Sequence, residues 1–411
     1  MKALIIGHVW PEPGSSAAGA RINEIMLMLY ADGWKLTFAS AAQRSDFVCF
    51  PDNIIIDKVQ IELNSSKFDA WLKEQKPDLV LFDRFMSEEQ YGWRVAKALP
   101  HSVRILDTED LHFLRRIRAN RINAISDIRK ADFFTAETFR EIASIYRCDL
   151  SLIISKFEFD LLKNTFKITE DLLYYLPFYR KNEEQNSAIN PHPAFEKRKG
   201  YTMIGNFQHA PNRDAVLYLK EEVWPAILKR KPDAELHIYG AYMLTKDKQL
   251  HDVKSNFFMH GRVNDALAAI QRHRVLIAPL RFGAGLKGKL VDAMQSGTPF
   301  VTTDVGAEGL FCSPNAVVND IEGFAERAVT LHNDRHLWQG ASTDGYRYFK
   351  QQFADNTIQL RFLEVLNNLV ANVDKQRQKN FTGAMLMHHR MQSTRFLSMW
   401  IEEKNKNREN D

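Results

Sequence analysis

The chain reads as α/β, with two doubly wound parallel-sheet domains and a helical tail. Three observations predict this. Short apolar runs alternate with amphipathic helical stretches, the pattern of strand-helix-strand units. The alternation stops once, in a polar segment near residue 190, and then starts again. The 411 residues exceed the ~100 to 200 of an ordinary domain.

Taken in order, Ala3 to Gly7 is an apolar run closed by glycine, and Gly19 to Ala31 carries Ile22, Ile25, Met26 and Leu29 at helical spacing. Strand-like runs recur at Lys35 to Ser40, Leu79 to Phe82, Val103 to Asp107 and Leu150 to Ser155. This first domain is assigned residues 1–182. Residues 183–199 are polar, hold two prolines and read as a linker. A second series fills 200–372, with strands expected at Tyr201 to Gly205, Glu235 to Gly240, Phe257 to Gly261, Val275 to Pro279, Pro299 to Thr302 and Ala316 to Val318. No GxGxxG followed by a ribose-binding acid opens either half, which argues against a nicotinamide enzyme.

Residues 373–411 form a basic, helix-prone tail, with eight Lys/Arg against five Asp/Glu. Its apolar residues Phe396, Leu397, Trp400 and Ile401 are expected to pack on the first domain. Arg390, Arg395, Lys404, Lys406 and Arg408 would then face outward and meet an anionic membrane surface.

Composition narrows the function. With 45% hydrophobic, 11% aromatic and 26% charged residues, disordered, collagen-like and low-complexity classes are excluded. Lys+Arg 55 against Asp+Glu 51 leaves only +4, too weak a bias to indicate a nucleic-acid partner. Cys49, Cys148 and Cys312 are far apart and odd in number, so buried thiols in a reducing cytosol are expected. The first apolar run is shorter than the ~7 to 15 residues of an export signal, and no run approaches the ~20 of a membrane span. The expected location is the cytoplasm, with at most peripheral contact at the inner membrane surface.

The segment Ala278 to Leu310, APLRFGAGLKGKLVDAMQSGTPFVTTDVGAEGL, is the most informative. It reads as strand, glycine loop, helix, strand, glycine loop. Gly283, Gly285 and Gly288 let backbone N–H groups approach a ligand, the helix starting near Leu286 offers its positive end, and Lys287 and Lys289 add charge. That suits a phosphate, although such loops also arise from packing alone.

This stretch resembles the carboxy-terminal domain of retaining GT-B glycosyltransferases of the group 1 (family 4-like) class. The opening IGNFQHAPNRDAVLYLKEEVWPAI, the amino-terminal WPEPGSSAAGAR and the mid-domain LDTEDLHFLR extend the resemblance over nearly the whole chain. It implies two Rossmann-like domains facing a cleft. A nucleotide-diphosphate sugar would sit mainly on the second and a glycan, lipid-linked or small-molecule acceptor on the first. The implied reaction is transfer of a hexose with retention, by front-face attack, with no obligatory metal or other cofactor.

Residues carry over where they match. Of two acidic positions eight apart, the second falls on Asp292, for the ribose hydroxyls, and the first on Ala284, which has lost its carboxylate. The backbone of Gly283, Ala284, Gly285 and Leu286 then faces the donor. At the domain opening, after Gly205, the usual cations are replaced by Asn206 and Asn212. Neutral amides cannot neutralise a diphosphate, so that role passes to Lys287, with Lys289 and Arg281 as lesser candidates. Arg262 and Val263, after Gly261, correspond to the loop that reads the base.

On the acceptor side the resemblance gives Gly14, Ser15, Ser16, Gly19 and Arg21. His112, preceded by Asp107, Glu109 and Asp110, is the further catalytic candidate. Arg115, Arg116, Arg118 and Arg121 form a basic cluster that reads as one solvated helix face, or as a surface to meet an acidic lipid or polysaccharide acceptor. A nucleotide-sugar epimerase and a non-catalytic sugar- or nucleotide-binding homologue remain alternatives.

Overall fold

The computed structural model describes residues 1–122, 128–180 and 192–409, and of residues 389–392 and 406–409 the helical backbone. The first sheet holds β1 (Lys2–Ile6), β2 (Lys35–Ser40), β3 (Ile56–Gln60), β4 (Leu79–Asp83), β5 (Val103–Asp107), β6 (Leu150–Ile153) and β7 (Leu173–Tyr175). All pair in parallel, in the order 3-2-1-4-5-6-7. The order reverses between β1 and β4, so a crevice opens at the carboxyl ends of those strands.

Both faces of this sheet are covered, which is why its central strands are continuous apolar runs. Ala3 and Ile5 face a cluster built with α1 (Ala17–Ala31), whereas Leu4 and Ile6 face the opposite one. That second layer comprises α2 (Ser66–Gln75), α3 (Arg84–Ala98), α4 (His112–Ala119), α5 (Ala136–Arg147) and α6 (Lys156–Asn164).

The second sheet holds β8 (Tyr201–Ile204), β9 (Leu236–Tyr239), β10 (Phe257–Gly261), β11 (Val275–Ala278) and β12 (Phe300–Thr302), parallel in the order 10-9-8-11-12. Its switch point lies between β8 and β11, where the Gly205 and Gly283 loops emerge. The helices are α7 (Ala210–Tyr218), α8 (Trp224–Arg230), α9 (Thr245–Lys248), α10 (Ala266–Gln271), α11 (Gly288–Gln295), α12 (Asp304–Ala307), α13 (Ile321–Asn333) and α14 (Arg335–Phe353). Leu219–Val223 forms a π turn between α7 and α8, just ahead of Pro225, whose missing N–H cannot complete the regular ladder.

Several expectations need correction. The sequence pattern missed β3 and β7: β3 is a largely exposed edge strand, and β7 is three residues long. Ala316 to Val318 is not a strand but a 3₁₀ turn followed by a single bridge from Val317 to Thr302. The expected linker runs partly outside the described residues. Its end, from His192, packs on the second domain: Phe195 lies edge-on to Trp338, and buried Arg198 donates to Thr298 Oγ1 and the Ser296 carbonyl. Of the cysteines Cys148 is buried, but Cys49 is exposed and Cys312 half-buried.

The return to the first domain starts earlier than residue 373. Helix α15 (Asn356–Gln378) inserts Phe362, Leu363, Leu366, Leu369 and Val373 into the cluster that α1 covers. Its last turn is fastened by Arg377, which donates to both oxygens of Asp149 at 2.7 Å. Helix α16 (Phe381–Glu409) continues across α5 and α3, but with the opposite face from the one expected. The packed side is small and polar: Ser398 accepts from Arg94, and Glu402 accepts from Ser66. Phe396 and Trp400, each 60% exposed, face solvent with Leu397, and Lys404 lies over the Trp400 ring on that same side. Side chains of Arg390, Lys406 and Arg408 lie outside the described residues. Among those described, no helix is long and apolar enough to cross a membrane.

Because Phe362 is fully buried in the first domain's cluster, Phe362→Ala should destabilise the protein by about 3 to 5 kcal/mol. Urea unfolding checks this, and a loss below ~1 kcal/mol would show that α15 is only laid against the surface.

Candidate active site between the domains

The carboxyl ends of β1, β4, β5 and β6 face those of β8 and β11, and two helix starts meet between them. A Cβ on Gly288, at the start of α11, would lie 2.7 Å from Ala17 Cβ at the start of α1. Glycine is required there for the approach. Ser16 caps α1, its Oγ accepting the Gly19 N–H at 3.0 Å, whereas no side chain caps α11. Both positive helix ends are thus directed at one region.

The glycine loop is pressed against the first domain. Gly285 has φ +64°, and a Cβ on it would stand 2.8 Å from Asp110 Cβ. The Ala284 methyl is buried in the apolar cluster of the first domain rather than turned to a ligand. Leu286 belongs instead to a cluster that joins Leu290 and Val291 of α11 and Phe349 of α14 to Ile154 and Phe178 of the first domain. Arg118 reaches from α4 to the same loop, donating to the Gly283 carbonyl at 2.8 Å and forking onto Glu308 at 2.8 and 2.6 Å.

Arg118 is therefore part of the seam and not of a solvated face. Arg115, Arg116 and Arg121 are likewise paired, with Asp110, Glu137 and Asp132.

Lys287 and Lys289 lie here, both half-buried. Lys287 Nζ donates to the Gly285 carbonyl at 2.7 Å; burial lowers its pKa, against the pull of Glu308 and Glu158. Lys289 donates to Asn212 Oδ1, and burial together with neighbouring Lys287 brings it down to about 7. Asn212 in turn donates to the Asn206 carbonyl at 2.9 Å, and a Cβ on Gly205 would strike the Asn212 side chain. Gly205, Asn206, Asn212 and Lys289 are one hydrogen-bonded set.

Asp292 sits one helical turn on, its carboxylate 3.5 Å from Arg180, which also pairs with Glu24 of α1 at 3.0 Å. Arg281 stands apart, exposed and held by Asp214. Arg262 crosses the cleft mouth: it lies over the Phe47 ring at 4.2 Å, and its guanidinium is 3.1 Å from where a Cβ on Gly14 would be. Val263, beside it, is half-buried. Tyr242 adds a second crossing, donating to Glu12 at 2.6 Å.

On the first-domain side, Ser15 is buried with its hydroxyl unpaired among the described residues, and a Cβ on Gly19 would strike the Glu12 backbone. Arg21 is not a cleft residue. It is 1% exposed, donates to both Asp107 oxygens at 3.0 Å and to the Leu176 carbonyl at 2.8 Å, and so joins α1 to the sheet. Breaking such a pair costs about 3 to 5 kcal/mol.

Asp110 does face the glycine loop, its carboxyl held far below the usual range by Arg115, against the cost of burial. His112 is 3.4 Å from Asp110 and edge-on to Phe85; burial brings its imidazole down to about 3, so it is neutral near pH 7.

Sequence reasoning missed Arg84 and named Glu109 only as a carboxylate preceding His112; both stand at positive φ (+69° and +62°), at the ends of β4 and β5. Strain of this kind costs ~1 to 3 kcal/mol and gathers at functional sites. It also missed Glu158. The only signal was Ser155-x-x-Glu158, which reads as a helix capping box.

With this geometry in view, residues 198–334 match the family model described as glycosyl transferases group 1. The match covers most of the second domain and none of the first. The two domains together form a GT-B fold. Sucrose-phosphate synthase from Thermosynechococcus elongatus superposes with a TM-score of 0.68 at 14% identity, covering 90% of this chain and 100% of that one. Anabaena Alr3699/HepE, solved in complex with UDP-glucose, gives 0.64 at 11%, covering 89% and 100%. At such identities the likeness is one of fold. A curated relative, an uncharacterized 44.6 kDa protein in the cps region of Klebsiella pneumoniae, is 22% identical over 160 residues. That match spans 36% of this chain and only 41% of the relative. The epimerase alternative finds no support in these comparisons.

Proposed function

We propose that the chain is a retaining glycosyltransferase, moving a hexose from a nucleoside-diphosphate sugar to a hydroxyl of a glycan or lipid-linked acceptor. The observation that carries this reading is the cationic corner where the Gly283 to Gly288 loop, Lys287, Lys289 and the starts of α1 and α11 meet. Backbone N–H groups, helix ends and ammonium groups fixed in a half-dry cleft stabilise charge as it develops on a departing diphosphate. The family match of the second domain, and a fold shared with a protein solved with UDP-glucose, support the same donor class.

In this reading the acceptor hydroxyl attacks on the face the diphosphate leaves, and the leaving phosphate oxygen takes its proton. The sugar–oxygen bond to phosphate breaks as the new glycosidic bond forms. No protein nucleophile and no metal is needed. Lys287 leaves the Gly285 carbonyl for the diphosphate, and Lys289 holds Asn212 at its edge. Asp292 accepts ribose hydroxyls beside Arg180. Neutral His112, next to Asp110, receives hydroxyls of donor or acceptor.

The exposed face of α16 belongs to the same reading. Phe396, Leu397 and Trp400, with Lys404 over Trp400, form an aromatic, basic strip on the acceptor-side domain. An anionic bilayer would take the rings at its interface and the cations at its headgroups, presenting a lipid-linked acceptor to the first domain.

Lys287→Ala should lower turnover about 10² to 10³-fold when release of nucleoside diphosphate from donor sugars is followed. Near wild-type turnover would remove Lys287 from the site. Separately, the protein should co-sediment with phosphatidylglycerol vesicles at low salt and lose this in a Phe396→Ser, Trp400→Ser double variant. A wild-type protein left in the supernatant would refute the membrane contact.

A further inference from the structure

Glu158, in the first turn of α6, has no solvent exposure, yet its carboxylate does not cap its own helix. It reaches across the seam. Oε1 accepts two backbone N–H groups, from Leu111 of the first domain at 3.0 Å and from Gly285 of the second at 2.8 Å. Oε2 is buried and has no partner among the described residues. The other polar group of Gly285, its carbonyl, accepts from Lys287 Nζ. One residue of the glycine loop is thus held at its N–H by the opposite domain and at its carbonyl by the lysine assigned to the diphosphate.

A second contact places the same turn of α6 against the other glycine loop, since a Cβ on Gly309, at φ +76°, would lie 2.4 Å from Ser155 Oγ. Both loops of the second domain therefore close on the start of α6. A buried carboxylate with an orphan oxygen is costly, and nothing in the folding of α6 requires it.

We propose that Glu158 is a positioning residue, which couples closure of the cleft to the orientation of Lys287 by gripping the Gly285 N–H from the opposite domain. The meaning given to Lys287 rests on the transferase reading; the grip itself does not. When the domains part, Gly285 loses its acceptor and the loop its fixed conformation.

The grip is also sensitive to protons. Burial, followed by repulsion from Asp110, pushes the carboxyl up to about 7, against the two N–H groups and Lys287. Also facing this pocket are Glu141 from α5 and the Arg118–Glu308 pair. Below pH 7 the carboxyl is protonated and holds both N–H groups as a neutral acceptor. Above it the anion binds them more strongly, because charge-assisted hydrogen bonds are roughly twice as strong. The folded value lies above the ordinary 4.5, so the folded state binds the extra proton between about 4.5 and 7. Stability from this group is complete below 4.5 and is lost as pH rises through 7.

Full-length wild type, Glu158→Gln and Glu158→Ala decide the matter by three readouts. The Tm of Glu158→Gln relative to wild type should rise from pH 5 to 8, since the amide never ionises. Wild-type turnover relative to that of Glu158→Gln should increase between pH 6 and 8 with a midpoint near 7, because Lys289, itself down to about 7, is common to both forms. Glu158→Ala should lose at least 10-fold in turnover and bind UDP or GDP more weakly by calorimetry, with Gln restoring most of the affinity. The proposal is overturned if Gln follows wild type in both pH profiles, or if Ala lowers Tm while nucleotide affinity and turnover stay unchanged. If no donor sugar is turned over by any form, the transferase reading fails, and the Tm profile with UDP and GDP affinities still judges Glu158.

Discussion

Arg118 ends on two groups of the opposite domain, the Gly283 carbonyl and the Glu308 carboxylate, and this fork fixes where the glycine loop can stand. A planar guanidinium satisfies a carboxylate in one orientation only, so the pair sets angle as well as distance. Once it is set, Gly285 must lie against Asp110 and Gly288 against Ala17, and only glycine tolerates either approach. The cleft is therefore an interface whose two walls are shaped by each other. Loop residues that look like ligand contacts in isolation, Ala284 above all, are partly spent on that interface.

The same economy of buried charge holds the first domain in register. Arg21 joins α1 to the end of β5 through Asp107, Arg180 spans Glu24 and Asp292, and Arg377 fastens α15 to Asp149. Each cation sits where chain segments far apart in sequence converge. Helix α15 makes the first domain discontinuous, so that residues beyond 356 complete the core begun at residue 3. Relative movement of the domains must pass through two crossings, near residue 180 and near residue 355.

Much of the fold was legible because the central strands are buried on both faces and therefore uniformly apolar. Runs such as Leu79 to Phe82 and Val275 to Ala278 admit few other readings. The edge strand β3 was not legible, since an exposed strand needs no apolar pattern. The tail shows the opposite failure: Phe396 and Trp400 predict a packing face because large apolar residues usually pack, whereas Ser398 makes the contact. In the site, the glycine loop and its lysines were visible through local spacing. Arg21 was misplaced and Glu158 missed, because their partners, Asp107 and Gly285, are 86 and 127 residues away. Periodicity carries no information at that range.

The central claim is that a donor diphosphate occupies the corner between the starts of α1 and α11. A crystal structure with a nucleoside diphosphate bound tests it most directly. The account predicts phosphate oxygens within hydrogen-bond distance of backbone N–H groups in the Gly283 to Gly288 loop, and of Lys287 Nζ released from the Gly285 carbonyl. A diphosphate bound elsewhere, with Lys287 still on that carbonyl, would contradict it.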